Sequence, residues 1–359
     1  MWEGLRAPTP PPFLLAPLPE FPFLARMIFS RRCALVFLAC VLALPAVAAT
    51  RAQPTRPGAT DNATAFKGAI VIDAATGQTL LEDRADFSGA PASMAKLMTL
   101  AVLADLLKQG RLSLDSNITV TAPDTRIGGT QVWLKEKEVF PVEELIYAMM
   151  IQSANDAAYM LARTAAGSID AFVELMNAKA RELGMKATTF RTPHGLPPAN
   201  RRLADGDLTT PRDFALLCRH LVLRTDVLKY TAVKKRDFGP PVRAKAVEMV
   251  NHDHLLERVD GVDGLKTGFT NGAGFCLAST ALRNGRRVIV VVMGSPDSKT
   301  RDLKVTELLA RGFLALPIGG PAFRSELPQS PVARAPLPAT EQKPAADAPP
   351  VIKFSLPKR

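Results

Sequence analysis

Strand-like stretches lie at both ends of the central part of this 359-residue chain, and helical patterns lie between them. Residues 66–82 alternate like a hairpin that turns at 75–77. Residues 274–280 and 287–293 are rich in β-branched side chains and flank Asn284–Gly285, a strong hairpin signal. We therefore expect a mixed α/β (α+β) fold, in which N- and C-terminal strands form one antiparallel sheet, flanked by helices, with an all-helical subdomain inserted.

Apolar residues at helical spacing fill the middle of the chain. Ser168 is a plausible N-cap, and so is Thr209 or Thr210 before Pro211, because their side-chain oxygens can accept from free backbone N–H groups. The predicted helices are 93–107, 142–151, 156–165, 168–183, one that begins at Pro211, and 299–313.

Residues 1–48 are interpreted as an N-terminal extension and a signal peptide. A basic stretch follows Met27, an apolar run extends over 33–49, and a small-residue cleavage pattern occupies 46–48. We expect translation to start at Met27, cleavage near Ala48, export to the periplasm and a linker over 49–65. An uncleaved anchor is the alternative, although the run is short for a spanning helix of about 20 residues.

The catalytic domain is expected to span 66–317, and 318–359 to form a disordered tail because nine of its 42 residues are proline. The tail has no apolar helical face, so we expect no strong membrane anchor and a soluble or loosely membrane-associated protein. The net charge of +11 is not concentrated in a Lys/Arg run with interleaved aromatics, which gives no support for nucleic-acid binding. Cys218 and Cys276 are expected to be buried free thiols.

The segment 92–100 places Ser93 three residues before Lys96 among apolar residues. Three residues make about one helical turn, so both side chains share a face. A serine at the start of a helix meets free backbone N–H groups, and a lysine one turn away can accept its proton. Alone, this pattern also fits a core helix with an incidental lysine.

Two further motifs follow in order. Ser153-Ala154-Asn155 lies at a break between two helices, and Lys266-Thr267-Gly268 leads into a strand. The order S-x-x-K, S-x-N, K-T-G is the motif set of penicillin-binding proteins and class A β-lactamases. The three motifs together predict an acyl-transfer site with a serine nucleophile.

The chain resembles the low-molecular-weight penicillin-binding proteins, which are serine-type D-alanyl-D-alanine carboxypeptidases. The matching stretches are P-A-S-M-A-K-L-M-T, I-Q-S-A-N-D-A-A, F-V-E-L-M-N-A-K-A-R-E-L-G-M, T-P-H-G-L and V-D-G-L-K-T-G-F-T-N-G-A-G-F-C-L-A-S-T. The resemblance implies a β-lactamase/transpeptidase-like fold. It also implies removal of the terminal D-alanine from peptidoglycan stem peptides that end in D-Ala-D-Ala, with β-lactams as covalent inhibitors.

The resemblance assigns a role to each motif residue. Ser93 is the acyl-ester nucleophile and Lys96 its base, with a pKa lowered by partial burial and by the second ammonium group of Lys266. Ser153 would relay a proton to the leaving amine, and Asn155 would hydrogen-bond the substrate amide. Lys266 and Thr267 would face the terminal carboxylate of the substrate.

Three further residues complete the expected substrate-binding set. Gly268 has no Cβ and so lets the peptide approach the strand edge. The backbone N–H groups of Ser93 and Phe269 would form the oxyanion hole, as the family does. Arg301 falls where the family has an arginine for the substrate carboxylate; a solvated arginine is the alternative. Phe269 replaces a common His or Tyr, and Ala154 a common Gly.

Three other functions remain as alternatives. A D,D-endopeptidase of the same superfamily would cut cross-linked peptides. A β-lactamase would need a deacylating base, and Glu174 is instead predicted to lie on a helix surface. A non-catalytic wall-binding protein is disfavoured because all three motifs are intact.

We expect no cofactor and no metal, since the four histidines, at 194, 220, 252 and 254, lack the spacing of a metal site beyond His252-x-His254.

Overall fold

The computed structural model describes residues 65–327. Its main sheet has five antiparallel strands in the order β2-β1-β9-β8-β7. Both ends of the domain contribute to this sheet, as the sequence predicts. The predicted signal peptide and most of the predicted tail lie outside the described residues. The strands are β1 (Gly68–Asp73), β2 (Thr79–Asp83), β7 (Val262–Thr270), β8 (Gly274–Arg283) and β9 (Arg286–Ser295).

Strands β1 and β9 pair with each other near the centre of the sheet. Every residue of β1 is buried, and so are all residues of β9 after the first. Such continuous burial arises when helices cover both faces of a sheet. The Asn284–Gly285 turn joins β8 to β9, with both residues at positive φ, 48° and 71°, which a two-residue hairpin turn of this kind requires.

The longer helices begin and end within a few residues of the predicted ranges. Ser168 accepts a hydrogen bond from the N–H of Ala171, and Thr210 accepts one from that of Asp213, so both are N-caps as predicted. The helices are α1 (Lys96–Lys108), α2 (Val142–Ile151), α3 (Asn155–Ala166), α4 (Ile169–Glu182), α5 (Pro211–Arg224), α6 (Val227–Thr231), α7 (Leu255–Arg258) and α8 (Ser298–Ala315).

The inserted region is mostly helical, but it also carries two small two-stranded sheets. One pairs β3 (Asn117–Thr119) with β4 (Val139–Pro141), and the other pairs β5 (Lys235–Phe238) with β6 (Val247–Val250). These strands are three or four residues long, too short for the period-two pattern to stand out in the sequence.

Two apolar clusters form the core. The larger contains one face of the main sheet together with α1 to α5, and the smaller contains the other face together with α8. Cys218 and Cys276 are buried and free, as predicted. Helix α1 therefore lies in the middle of the molecule, and its N-terminal end is fixed against the sheet.

Some contacts lie past the predicted domain boundary at residue 317. The N–H of Phe323 donates to the carbonyl of Gly285, and the N–H of Glu326 donates to that of Leu223. Residues 318–327 thus lie against the domain, while the character of the remaining tail stays a prediction. None of the helices between residues 65 and 327 combines the length and apolar character needed to cross a bilayer.

Candidate active site

Ser93 and Lys96 lie where the main sheet meets α1. A 3-10 turn over Ala92–Ala95 precedes α1, so Ser93 sits just before the α-helix and Lys96 is its first residue. The distance from Lys96 Nζ to Ser93 Oγ is 3.0 Å. The predicted one-turn spacing therefore brings the two groups into hydrogen-bond contact.

Lys96 is completely buried. Its Nζ also contacts Asn155 Oδ1 at 2.7 Å and the carbonyl oxygen of His194 at 2.9 Å. Burial lowers the pKa of Lys96 well below its ordinary value, and the positive charge of Lys266 lowers it further. Both causes were expected from the sequence, and burial is the larger of the two in the structure.

The Ser-x-Asn motif faces Lys96 from the start of α3. Both polar atoms of the Asn155 side chain are engaged, because Oδ1 accepts from Lys96 and Nδ2 donates to the carbonyl of Gly128 at 2.8 Å. Asn155 thus holds Lys96 in this structure; its predicted bond to substrate stays a prediction. Ser153 is buried at a φ of 61°, and its hydroxyl makes no hydrogen bond with any residue between 65 and 327.

The Lys-Thr-Gly motif lies on β7, an edge strand of the main sheet. A Cβ at Gly268 would lie 2.6 Å from the carbonyl oxygen of Pro91 and 3.2 Å from the backbone nitrogen of Met94. Only glycine allows the strand to pass this close to the turn that carries Ser93. The edge of β7 keeps backbone groups available for an extended peptide.

Phe269 follows Gly268 on the same strand. Its ring is 49% exposed and stacks on Phe275, with ring centroids 4.1 Å apart. The side chain therefore packs along the sheet surface rather than against Ser93. The predicted use of its backbone N–H in the oxyanion hole does not depend on this side chain and stays a prediction.

Lys266 is buried among charges that sequence reasoning only partly foresees. Burial lowers its pKa to about 7, while Asp253 raises it and Arg301 lowers it. The positive charge of Lys266 in turn lowers the pKa of Lys96, so the two lysines are linked electrostatically.

Arg301 is buried on the first turn of α8, which removes the alternative of a solvated arginine. Its Nε and Nη2 atoms donate to Asp302 Oδ1 at 2.9 and 2.6 Å. Asp302 is thus the arginine's partner in the free protein. A substrate carboxylate would have to share or replace it.

Asp253 is the charged residue that sequence reasoning missed. It is buried, its Oδ1 accepts from the N–H of Leu255 at 3.0 Å, and its Oδ2 has no hydrogen-bond partner within the described chain. Burial raises its pKa to about 6, and the nearby charges of Arg301 and Lys266 lower it. Its only signal in the sequence is its place between His252 and His254.

The histidines hold no metal in a recognisable arrangement. The region 65–327 contains no group of three or more His, Cys, Asp or Glu side chains suited to an ion. His194 supplies a backbone carbonyl to Lys96, and burial followed by the Lys96 charge lowers the pKa of its ring to about 3. Its imidazole is therefore neutral at physiological pH.

The sequence also matches a known family and known relatives. Residues 53–297 match the peptidase S11 family, described as D-alanyl-D-alanine carboxypeptidase. The chain is 36% identical to the carboxypeptidase DacA of Escherichia coli over 251 residues, which is 68% of this chain and 60% of DacA. It is 32% identical to DacF of Bacillus subtilis over 247 residues, 69% of this chain and 62% of DacF. The chain thus spans about three fifths of the length of these relatives.

Two other matches bear on the function. The D-alanyl-D-alanine endopeptidase of E. coli is 31% identical over 272 residues, 73% of this chain and 82% of that protein. The ampicillin-bound structure of penicillin-binding protein D2 from Listeria monocytogenes superposes with a TM-score of 0.61 and 31% identity, covering 69% of this chain and 97% of that one. With a family match over most of its length, the chain belongs to the D-alanyl-D-alanine carboxypeptidase family of serine peptidases.

Proposed function

We propose that this protein is a serine D-alanyl-D-alanine carboxypeptidase that removes the terminal D-alanine from peptidoglycan stem peptides through an acyl-enzyme. The observation that carries the proposal is the set of three contacts at Lys96 Nζ. Asn155 Oδ1 and the His194 carbonyl can only accept hydrogen bonds. A neutral amine has two N–H groups for these acceptors, which leaves its lone pair for the third contact, Ser93 Oγ.

The acylation step follows from this arrangement. Ser93 Oγ attacks the carbonyl carbon of the penultimate D-alanine while its proton passes to Lys96 Nζ. The backbone N–H groups of Ser93 and Phe269 stabilise the oxyanion. The tetrahedral intermediate then breaks its C–N bond, and the departing D-alanine amine takes the proton from Lys96 by way of Ser153. Water later attacks the ester and regenerates Ser93.

We assign the substrate carboxylate to the positively charged groups around Lys266. Lys266, Thr267 and Arg301 would bind it, which restricts the enzyme to a peptide that ends at this point. A protein of this kind acts on the cell wall, so we also propose that the chain is exported, and that β-lactams acylate Ser93 as substrate analogues.

A D,D-endopeptidase is the second candidate, because the E. coli endopeptidase is similar over 82% of its own length. A β-lactamase lacks support, since Glu174 is exposed on α4, as predicted, and no role as a deacylating base follows from that position. The carboxypeptidase needs a substrate that ends at the D-alanine it releases. The endopeptidase cuts a bond beyond which the cross-linked peptide continues.

One experiment separates these functions. The purified protein is incubated with a free pentapeptide ending in D-Ala-D-Ala, with a cross-linked dimer and with penicillin, and the products are identified by mass spectrometry. We expect free D-alanine from the pentapeptide and a slowly released penicilloyl adduct on Ser93. Cleavage of the dimer alone would favour the endopeptidase, and rapid penicillin turnover would favour the β-lactamase.

A further inference from the structure

Trp133 is an exposed aromatic side chain on the loop beside the candidate active site. It is 60% exposed, although Val132 and Leu134 on either side are buried. Its φ is 53°, in the left-handed region that bulky residues rarely adopt. An exposed indole gains little from packing, so folding alone does not account for a tryptophan here.

The backbone around Trp133 is held from both sides. The carboxylate of Asp156 accepts from the N–H groups of Val132 and Leu134 at 3.3 and 3.1 Å. The guanidinium of Arg243 donates to the carbonyls of Val132 and Trp133 at 2.8 and 2.9 Å. Arg243 is itself fixed by an ion pair with Glu138. These four hydrogen bonds fix the backbone of residues 132–134, and the indole of Trp133 remains exposed.

The same loop contacts the Ser-x-Asn motif a few residues earlier. Gly128 accepts from Asn155 Nδ2, and Thr130 accepts from the Asn155 N–H, each at 2.8 Å. Three extended residues span at most about 11 Å, so Trp133 lies within that reach of Thr130. The four residues of a stem peptide between its sugar and the scissile bond span about 14 Å. A sugar attached to a bound peptide can therefore reach the indole.

We propose that Trp133 is a stacking platform for a pyranose ring of the peptidoglycan glycan that carries the stem peptide. The inference rests on the proposed carboxypeptidase function and adds the glycan to its substrate. The C–H groups on one face of a pyranose are weakly electropositive and match the electron-rich face of indole. The neighbouring exposed side chains Lys135, Glu136 and Lys137 supply donors and acceptors for sugar hydroxyls.

A kinetic comparison tests the proposal. For each variant, kcat/KM is measured on a free pentapeptide and on a disaccharide-linked pentapeptide, and the ratio of linked to free is reported. Trp133→Ala should lower this ratio about fivefold to tenfold, mainly through the KM of the linked substrate. Trp133→Phe should lower it less. Leu314→Ala, which removes a side chain 87% exposed at the far end of α8, is the matched control and should leave the ratio unchanged.

A binding experiment separates failure of this inference from failure of the proposed function. The chain contains two tryptophans, and Trp2 precedes the expected start at Met27. In a Ser93→Ala protein, with Trp2→Phe wherever residue 2 is retained, the indole fluorescence therefore reports on Trp133 without turnover. Titration with an N-acetylglucosamine tetramer should give a saturable change. No change, a response only to anionic lipid vesicles, or an unaltered kinetic ratio would overturn the glycan platform. Absence of D-alanine release from the free pentapeptide by the unaltered enzyme would instead overturn the proposed function.

Discussion

The two site lysines are both buried, yet their surroundings differ. Lys96 Nζ contacts two neutral acceptors and the Ser93 hydroxyl, and no carboxylate between residues 65 and 327 contacts it, although the charges of Asp207 and Asp156 raise its pKa. Lys266 lies near the buried carboxylate of Asp253. The charge of Asp253 raises the pKa of Lys266, whereas burial and the charge of Arg301 lower it. Burial pushes both amines toward the neutral form, and the counter-charge decides how far each one goes.

This difference matches two chemical tasks. A lysine that acts as a base must be neutral before it can accept a proton. A lysine that binds a carboxylate does so best when it is charged. The same residue type could serve both tasks, because burial and the charge of Lys266 outweigh the carboxylates of Asp207 and Asp156 at Lys96, whereas Asp253 opposes the effect of burial at Lys266.

Lys96→Arg should lower the rate of Ser93 acylation about 10³-fold, because a guanidinium does not lose its proton at accessible pH and so is not a base. Labelling by a fluorescent penicillin measures this rate. Lys266→Arg is the matched control. It keeps the positive charge at residue 266, so its rate of Ser93 acylation should fall less than about tenfold. Equal losses in both variants would contradict the assignment of different tasks.

Lys266→Gln should raise KM for the pentapeptide about 10- to 100-fold, because a hydrogen bond to a charged group contributes about 1.5–3 kcal/mol. The effect on kcat should be smaller. Steady-state D-alanine release gives both constants. A fall in kcat with KM unchanged would place Lys266 in the proton transfer rather than in carboxylate binding.

The pH profile should reflect both lysines. The value of kcat/KM should rise with pH as Lys96 loses its proton and fall as Lys266 loses its own at a pKa of about 7. A bound carboxylate favours the charged form of Lys266, so the alkaline limb of kcat should lie at higher pH than that of kcat/KM.

Asp253→Asn removes the carboxylate that raises the pKa of Lys266. The alkaline limb of kcat/KM should therefore move to lower pH, and kcat/KM at pH 7 should fall a few fold. Asp124→Asn, a buried carboxylate paired with Arg163 away from the site, is the control and should leave the limb in place. An unmoved limb in Asp253→Asn would show that another charge sets the state of Lys266.

Phe269→Tyr should have the smallest effect, less than about twofold in kcat/KM for the pentapeptide. The exposed ring stacks on Phe275 and the proposed role uses only the backbone N–H. The same D-alanine assay measures it. A loss above tenfold would mean that the side chain contacts the reacting part of the substrate.

Much of the fold follows from sequence patterns, because they are local. The Asn284–Gly285 turn, the caps at Ser168 and Thr210 and the ends of α2 are governed by backbone conformation and neighbouring residues. The short strands β3 to β6 were missed since three or four residues show no clear period and form only through pairing with distant segments.

The motif residues of the site were predictable by resemblance, and the structure brings Ser93, Lys96, Ser153 and Asn155 to one side of the cleft. Their surroundings were not predictable. Asp253 comes near the charges of Lys266 and Arg301 only in the folded chain, where its neighbour His254 lies 3.8 Å from Asp302 at the start of α8. Likewise, no spacing in the sequence indicates that Asn155 holds Lys96, or that Asp156 and Arg243 fix the loop of Trp133.

The most direct test of the account is the protonation state of Lys96 in the free protein. Nuclear magnetic resonance of protein labelled with ¹³C and ¹⁵N at lysine would follow the Cε and Nζ shifts against pH, with Lys96→Arg and Lys266→Arg used for assignment. We expect Lys96 to be neutral at pH 7.5 and to lose its proton at lower pH than Lys266. A Lys96 that titrates near the ordinary lysine pKa of about 10.4 would contradict it.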